Sequence, residues 1–420
     1  MKRINNIVQL EKQSFTSSVR TFLPDYSIVP LNMEKDTEHV IREGDTVKEG
    51  DYISSDTSGC FLHSPVPGTI EKITTCTLPD GNFSKAVKIK LGGSFSFLGK
   101  IKLGTDWKSL SPEKLLLRIK NGGVPNTFSS LISLADQIES CQKGELLVVR
   151  AFDEDPSCIT DSFTYTNFTH EVTEGAVAVA MAMQASGIIF VLPKQKDKAY
   201  SVSGLKFPHM ICYADNSRYP SGTAENLISE IKKSVSPKES FARAGRKSFF
   251  IDALTAYNAY NCIEFGLPVL EQIVHVSGTC LNANAVFRVR LGTTFASIVE
   301  QCGGFIKAPS KIIVNGLMTG FELSSLDIPV TKSVKSIIFL AANELDDQTQ
   351  SSCIRCGRCR TVCPQSLYPD LIYNNRTNPV LLESTLLCSS CSLCNSACPS
   401  RIPLSQTITV LRKQYENKSL

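Results

Sequence analysis

The chain of 420 residues sets 44 Lys and Arg against 40 Asp and Glu, a net charge of +4, so no general attraction to nucleic acid is implied. Hydrophobic residues make up 42% and charged residues 20%, the balance of a folded protein rather than a disordered one. The length exceeds one ordinary core and predicts several domains. No stretch reads as a membrane-spanning helix of about 20 apolar residues. The nearest candidate, Ala176 to Leu192, is broken by Gln184, Ser186 and Gly187, and is expected to be a helix, a stop and a buried strand. Membrane association is therefore expected to be peripheral, through partner proteins. No apolar run follows the basic start at Met1, Lys2 and Arg3, so no secretory leader is expected and a reducing cytoplasm fits the cysteines.

To about Gly99 the chain reads as short strands and turns. Gly44 and Gly50 punctuate alternating residues from Ile41 to Ile53, and a second run extends from Ser64 to Ile73. The pair resembles the barrel-sandwich hammerhead of biotinyl and lipoyl domains. Those carry a modified Lys on a hairpin, and Ser54 to His63 holds no Lys. Residues 1–100 are thus expected to be a structural docking module.

Residues 105–250 alternate strand and helix. Glu145 to Arg150 and Ile188 to Leu192 are short apolar runs of strand type, and Glu171 to Ala185 has helix-forming composition, with Gly187 placed to end it. Strand, crossover, strand predicts a parallel, Rossmann-like α/β domain, with ligands at the C-terminal strand ends. There lie Phe152 to Ser157. Residues 265–342 predict a small β-grasp-like unit: strands at Val274 to Ser277, Val286 to Arg290, Lys311 to Val314 and Ser336 to Ala341, and a helix over Thr294 to Gln301. The polar stretch from Asn343 to Ser352 is a linker into the last domain, 345–420.

Eight of the 16 cysteines crowd that domain. Cys353, Cys356, Cys359 and Cys363 precede Pro364, and Cys388, Cys391, Cys394 and Cys398 precede Pro399. Both sets read C-x2-C-x2-C-x3-C-P, the two-cluster ferredoxin spacing in which each fourth Cys ligates the other cluster. One [4Fe–4S] cluster is expected on Cys353, Cys356, Cys359 and Cys398, and a second on Cys388, Cys391, Cys394 and Cys363. Zinc knuckles need no third Cys at this spacing. The scattered eight read as small buried apolar residues. From residue 351 on, eight Lys and Arg face three Asp and Glu. This suits either a landing patch for an acidic carrier such as ferredoxin or flavodoxin, or a simple offset to cluster charge.

The domain order resembles the C component of the Rnf electron-transport complex, related to the flavin- and NADH-binding subunit of respiratory complex I. Carrying stretches include Tyr219 to Glu225, Gly266 to Val269, Leu291 to Thr293, Asn315 to Gly320, Pro329 to Lys332 and Cys398 to Leu404. The resemblance implies a multidomain α/β and α+β fold: hammerhead, flavoprotein-like α/β domain, SLBB-type β-grasp and ferredoxin-type domain. It implies a peripheral subunit on the cytoplasmic face of the inner membrane. That subunit passes electrons between a nicotinamide or protein carrier and the ion-translocating Rnf subunits, with FMN and NAD(H) as further cofactors.

The flavin and nicotinamide loops depart from the family. Where it has G-x-G-G-A-G-F-P-T, this chain has Gly122 and Gly123 followed by Val124 and Pro125. Its acidic loop E-x-E-P becomes Asp153, Glu154, Asp155 and Pro156, with Asp161 fitting the acid that follows. These changes mark a degenerate FMN/NADH site at Gly122, Gly123, Asp153 and Asp155. A soluble cobalamin-reductase-type flavoprotein shares the domain order and is the alternative. The five histidines show no ligand spacing.

Overall fold

The computed structural model describes residues 19–31, 41–56, 58–129, 131–194, 205–236, 240–345 and 349–418. The N-terminal part holds β1 (Arg20–Thr21), β2 (Tyr26–Leu31), β3 (Thr46–Val47), β4 (Tyr52–Ser55), β5 (Phe61–His63), β6 (Gly68–Thr77) and β7 (Phe83–Leu91). An antiparallel sheet in the order β2-β7-β6-β3 faces the β4–β5 hairpin. Alternation builds this unit: Gly68 and Ile70 point inward and Thr69 and Glu71 outward. Val29, Ile53, Leu62, Val66, Ile70, Val87 and Ile89 form its core. β1 does not join this sheet.

Next come α1 (Pro112–Asn121), β8 (Pro125–Asn126), β9 (Ile132–Ser133), α2 (Leu134–Ser140), β10 (Leu146–Arg150), α3 (Thr160–Asn167) and α4 (Thr169–Ala182). β11 (Gly187–Pro193), β12 (His209–Ala214), α5 (Ala224–Ser234), β13 (Phe249–Asp252) and α6 (Ala253–Phe265) follow. The sheet runs β12-β11-β10-β13, and every pairing is parallel. β10 and β11 are buried along their whole length, which explains their unbroken apolar runs. One expectation fails locally. α4 ends at Ala182, before the expected Ala185, and Gly187 is the first residue of β11 rather than a helix stop. The reversal falls on Gln184, in the left-handed region at φ 53. Its carbonyl accepts from Gly144 N at 2.9 Å, which ties the turn to the start of β10.

The third part has β14 (Glu271–Ser277), β15 (Ala285–Arg290), α7 (Phe295–Gln301), β16 (Lys311–Val314), β17 (Phe321–Leu323) and β18 (Ser336–Leu340). Thr294 caps α7, its Oγ1 accepting from Ser297 N. The sheet order is β1-β15-β14-β18-β16-β17, with β1 parallel to β15 as an added edge. Arg290 joins this sheet to the first unit: it pairs with buried Glu49 at 2.7 Å and donates to Pro65 O at 3.0 Å. The C-terminal part is helical: α8 (Arg358–Val362), α9 (Pro369–Asn374), α10 (Pro379–Ser384), α11 (Leu393–Ser396) and α12 (Leu404–Lys418). Among the described residues no helix is long and apolar enough to cross a membrane.

Among the described residues two histidines are buried, His63 and His275. Burial, aided by nearby Lys332, lowers His63 to about 3, and burial lowers His275 to about 4. Both are neutral in the fold, whereas the unfolded chain protonates each near about 6.5. A depressed folded pKa gives stability that is complete above the unfolded value and lost as pH falls toward the folded one. Unfolding free energy is expected to drop by up to about 1.4 kcal/mol per pH unit for each histidine below about pH 6.5. Urea titrations across that range check it, and His275→Gln should make the slope shallower.

Candidate cluster site and interdomain cavity

The two cysteine loops are built alike. Within the first, Arg355 and Gly357 take left-handed backbone, at φ 55 and 73; within the second, Ser390 and Ser392 do so at φ 53 and 56. Each loop thereby coils back on itself before its third cysteine enters a short helix, α8 or α11. Past each fourth cysteine and its proline comes another left-handed residue, Ser366 or Arg401, and then a helix, α9 or α12. Every one of these features recurs thirty-five residues later.

The thiols are sorted across the loops. Cys359 and Cys398 share one small core with Ile402 and Leu404, and Cys353 and Cys394 pack against it. Burial raises the Cys388 thiol, and neighbouring Cys391 and Cys363 add to that. Cys394 is pushed to about 12 by burial and then by Cys388, Cys391 and Cys363. So Cys363 stands among the thiols of the second loop, and Cys398 beside Cys359 and Cys353 of the first, with Cys394 also touching that core. Leu367 N donates to Cys363 Sγ at 3.3 Å and Ser390 N to Cys388 Sγ at 3.4 Å. Such bonds favour thiolate. Among the described residues no three His, Cys, Asp or Glu stand as a set for a single metal ion. A cubane spreads its four thiolates wider than one ion does.

The second loop faces the body of the protein. Tyr219 OH donates to Cys391 O at 2.8 Å, and Arg412 donates to Cys388 O at 3.2 Å. Behind it opens a cavity of about 1480 Å³ bordered by all four parts of the chain, with Arg150, Asp161, Lys332, Lys335, Ser390 and Arg412 in its wall. It covers the C-terminal end of β10, where ligands of parallel sheets are expected.

Of the residues expected to hold FMN and NADH, Asp153 and Asp155 border this cavity and Gly122 and Gly123 do not; all four are already engaged. Gly122 and Gly123 follow the C-terminus of α1, not a helix N-terminus. Their amides donate back to Arg118 O and Lys120 O at 2.8 and 3.0 Å, and Val124 N donates to Ile119 O at 3.2 Å. A Cβ on Gly122 would strike Cys262 Sγ, and one on Gly123 would strike Phe61 O. Lys332, 1% exposed, donates to both Phe61 O and Gly123 O. A phosphate needs free amides and room; this run offers neither. Asp153 accepts from Asp161 N, Ser162 N and Ser162 Oγ at 2.7 to 3.0 Å, holding the start of α3. Asp155 accepts from Ser157 N at 3.0 Å, and from Met318 N and Thr319 N at 2.7 and 3.0 Å, clamping the β10 loop to the third part. These four residues do not fit a flavin phosphate or a nicotinamide ribose.

Deeper lies an ionic cluster that spacing did not reveal. Lys335 Nζ meets Asp161 at 2.8 Å and Asp252 at 2.6 Å. Arg150, 2% exposed, lies 3.8 Å from Asp161 and 3.3 Å from Glu154, donates to Gly222 O and Phe128 O, and stacks on the Phe128 ring. Burial, then Asp252, pushes Asp161 up to about 7, although Lys335 and Arg150 pull the other way. For Asp252 burial acts upward, but Lys335 and Arg150 outweigh it and hold it at about 2. In the sequence only Asp161 stood out, as the acid after the β10 loop; nothing marked Arg150, Asp252 or Lys335 as its partners.

The SLBB domain family matches residues 273–322, inside the third part. Over 83% of its length the chain is 25% identical to the C component of the proton-translocating ferredoxin:NAD(+) oxidoreductase complex of Clostridium ljungdahlii. It is 26% identical over 87% of its length to the C component of the ion-translocating oxidoreductase complex of Serratia proteamaculans, and 25% identical over 84% to that of Vibrio cholerae. The chain is a homologue of the C component of the ion-translocating oxidoreductase complexes. It spans 78% of the clostridial relative but 53% and 47% of the other two, about half their length. An NAD+-reducing [NiFe]-hydrogenase overlaps 74% of this chain and 54% of its own, at a TM-score of 0.44 and 12% identity, too loose a likeness to bear on function. The mixed α/β architecture with an SLBB domain accords with the kinship to the C components.

Proposed function

We propose that this chain is the peripheral electron-transfer subunit of an Rnf-type, ion-translocating membrane complex, facing the cytoplasm. The observation that carries the proposal is the pair of matching cysteine loops in a chain related to the C components along most of its length. In this reading residues 1–100 supply a hammerhead that docks other Rnf subunits, 105–250 a flavoprotein-like α/β domain, 265–342 the SLBB domain and 345–420 the ferredoxin-type domain. Cys353, Cys356, Cys359 and Cys398 hold one [4Fe–4S] cluster, and Cys388, Cys391, Cys394 and Cys363 the other. Each cluster, when bound, takes up and releases one electron. The protein buries three of the eight thiols, Cys359, Cys391 and Cys398, half-buries four more, and donates N–H bonds to Cys363 and Cys388, which favour the charged thiolate. Relatives named as members of such complexes favour this role over the soluble cobalamin-reductase alternative.

Anaerobic purification tests it. About eight iron and eight sulfide per chain are expected, with dithionite bleaching the visible absorbance and producing EPR signals. Zinc in place of iron, or clusters that dithionite leaves oxidised, would overturn the reading.

A further inference from the structure

We propose that the electron partner of this chain is an acidic, one-electron protein carrier that docks over the first cysteine loop at Cys356, and that no nicotinamide serves in its place; this rests on the electron-transfer reading above. Two independent observations lead here. The first is that the residues expected to hold the cofactors are already bonded within the protein. A nicotinamide gives up a hydride, two electrons together, whereas each cluster accepts one. A flavin is the usual converter between the two. The residues matched to the flavin and nicotinamide are spent on internal bonds: the Gly122 and Gly123 amides on α1, the Gly123 carbonyl on Lys332, Asp153 on α3, and Asp155 on Met318 and Thr319. A one-electron partner needs no converter.

The second is the surface of the first loop. Of the sixteen cysteines Cys356 is exposed, and the others are buried or half-buried. Exposed Arg355 and Arg358 flank it, and Ile354 beside them is 67% exposed. Not one Asp or Glu occurs from 349 to 369. An apolar centre rimmed by arginines suits an acidic face, with the charges steering the encounter. The second loop is turned the other way, into the cavity and against Tyr219. The step is simple: one electron leaves the carrier and enters the chain at residues 353–359, with no bond made and no proton moved.

The test uses the full chain with both clusters present. An acidic two-cluster ferredoxin, reduced and freed of dithionite, is mixed with it in a stopped flow at low and high salt. NADH with and without FMN is tried in parallel, and FMN binding is read by quenching of its fluorescence. Fast reduction by the ferredoxin, steeply slowed by salt, is expected, with no FMN binding and no bleaching by NADH. Arg358→Glu and Arg355→Gln should each slow the low-salt rate, together by about tenfold or more, with iron content and dithionite reduction unchanged. Bleaching by NADH and FMN, or stoichiometric FMN binding, overturns the inference while leaving the electron-transfer reading intact. Ferredoxin reduction indifferent to salt and to both arginine variants overturns the docking site. Failure of dithionite itself would sink the reading beneath it.

Discussion

Lys335→Met is expected to lower the unfolding free energy by about 3–5 kcal/mol, the usual result of stripping one partner from a buried ion pair. Its ammonium serves two carboxylates at once, Asp161 at 2.8 Å and Asp252 at 2.6 Å, whose side chains are 2% and 0% exposed. Arg150 stays at 3.8 Å from Asp161 and cannot neutralise both. Pairing the change with Asp252→Asn should restore part of the loss, because no uncompensated charge is then left inside. The pH dependence has a definite sign. Without the ammonium, both carboxyls would have folded pKa values above about 3.8, their unfolded value. A raised folded pKa gives stability that is present at low pH and lost as pH rises. The deficit of the variant should therefore be smaller at about pH 5 than at about pH 8. Urea unfolding at both pH values measures it, and a deficit within about 0.5 kcal/mol of zero would show the cluster to be unimportant.

The crossing of the cysteine ligands gives the second large effect. Cys363→Ala alone should remove one cluster and about half the iron. Combined with Cys388→Ala it should remove no more, since both residues are assigned to the same cluster. Combined with Cys353→Ala it should remove nearly all. Uncrossed ligation predicts the reverse pairing, so iron analysis of the two double variants decides between them. The structural basis is the company each fourth cysteine keeps: Cys398 beside Cys359 and Cys353 of the first loop, with Cys394 of the second also against them, and Cys363 beside Cys388, Cys391 and Cys394.

Much of the fold was legible where local pattern governs. β10, β11 and β16 are continuous apolar or alternating runs, and the helix expected from Thr294 to Gln301 forms as α7, with Thr294 its cap rather than its first residue. The end of α4 was not legible. Gln184 takes a backbone that glycine ordinarily supplies, helped by a bond from Gly144, forty residues away. The cysteine loops were readable because three thiols at fixed spacing constrain a chain locally. The acids of the β10 loop stand out in the sequence, but their work does not: the amides of Met318 and Thr319 that engage Asp155 come from another part of the chain. Nothing around Lys332 marks it as a buried tie. Its acceptors, on Phe61 and Gly123, lie over 200 residues back. No sequence period reports such a meeting.

The small strand β1 bears on how this protein is made. Arg20 lies beside Phe287, and Thr21 beside Arg288. At a translation speed of about 5–20 residues per second, the first of these partners leaves the ribosome tens of seconds before the second. For that whole interval the early peptide has no native sheet to join. Once β15 has emerged, its outer backbone edge is open until the waiting peptide returns to cover it. An open edge pairs readily with other chains, so a nascent molecule clipped past Thr21 would keep the β15 edge uncovered and open to pairing.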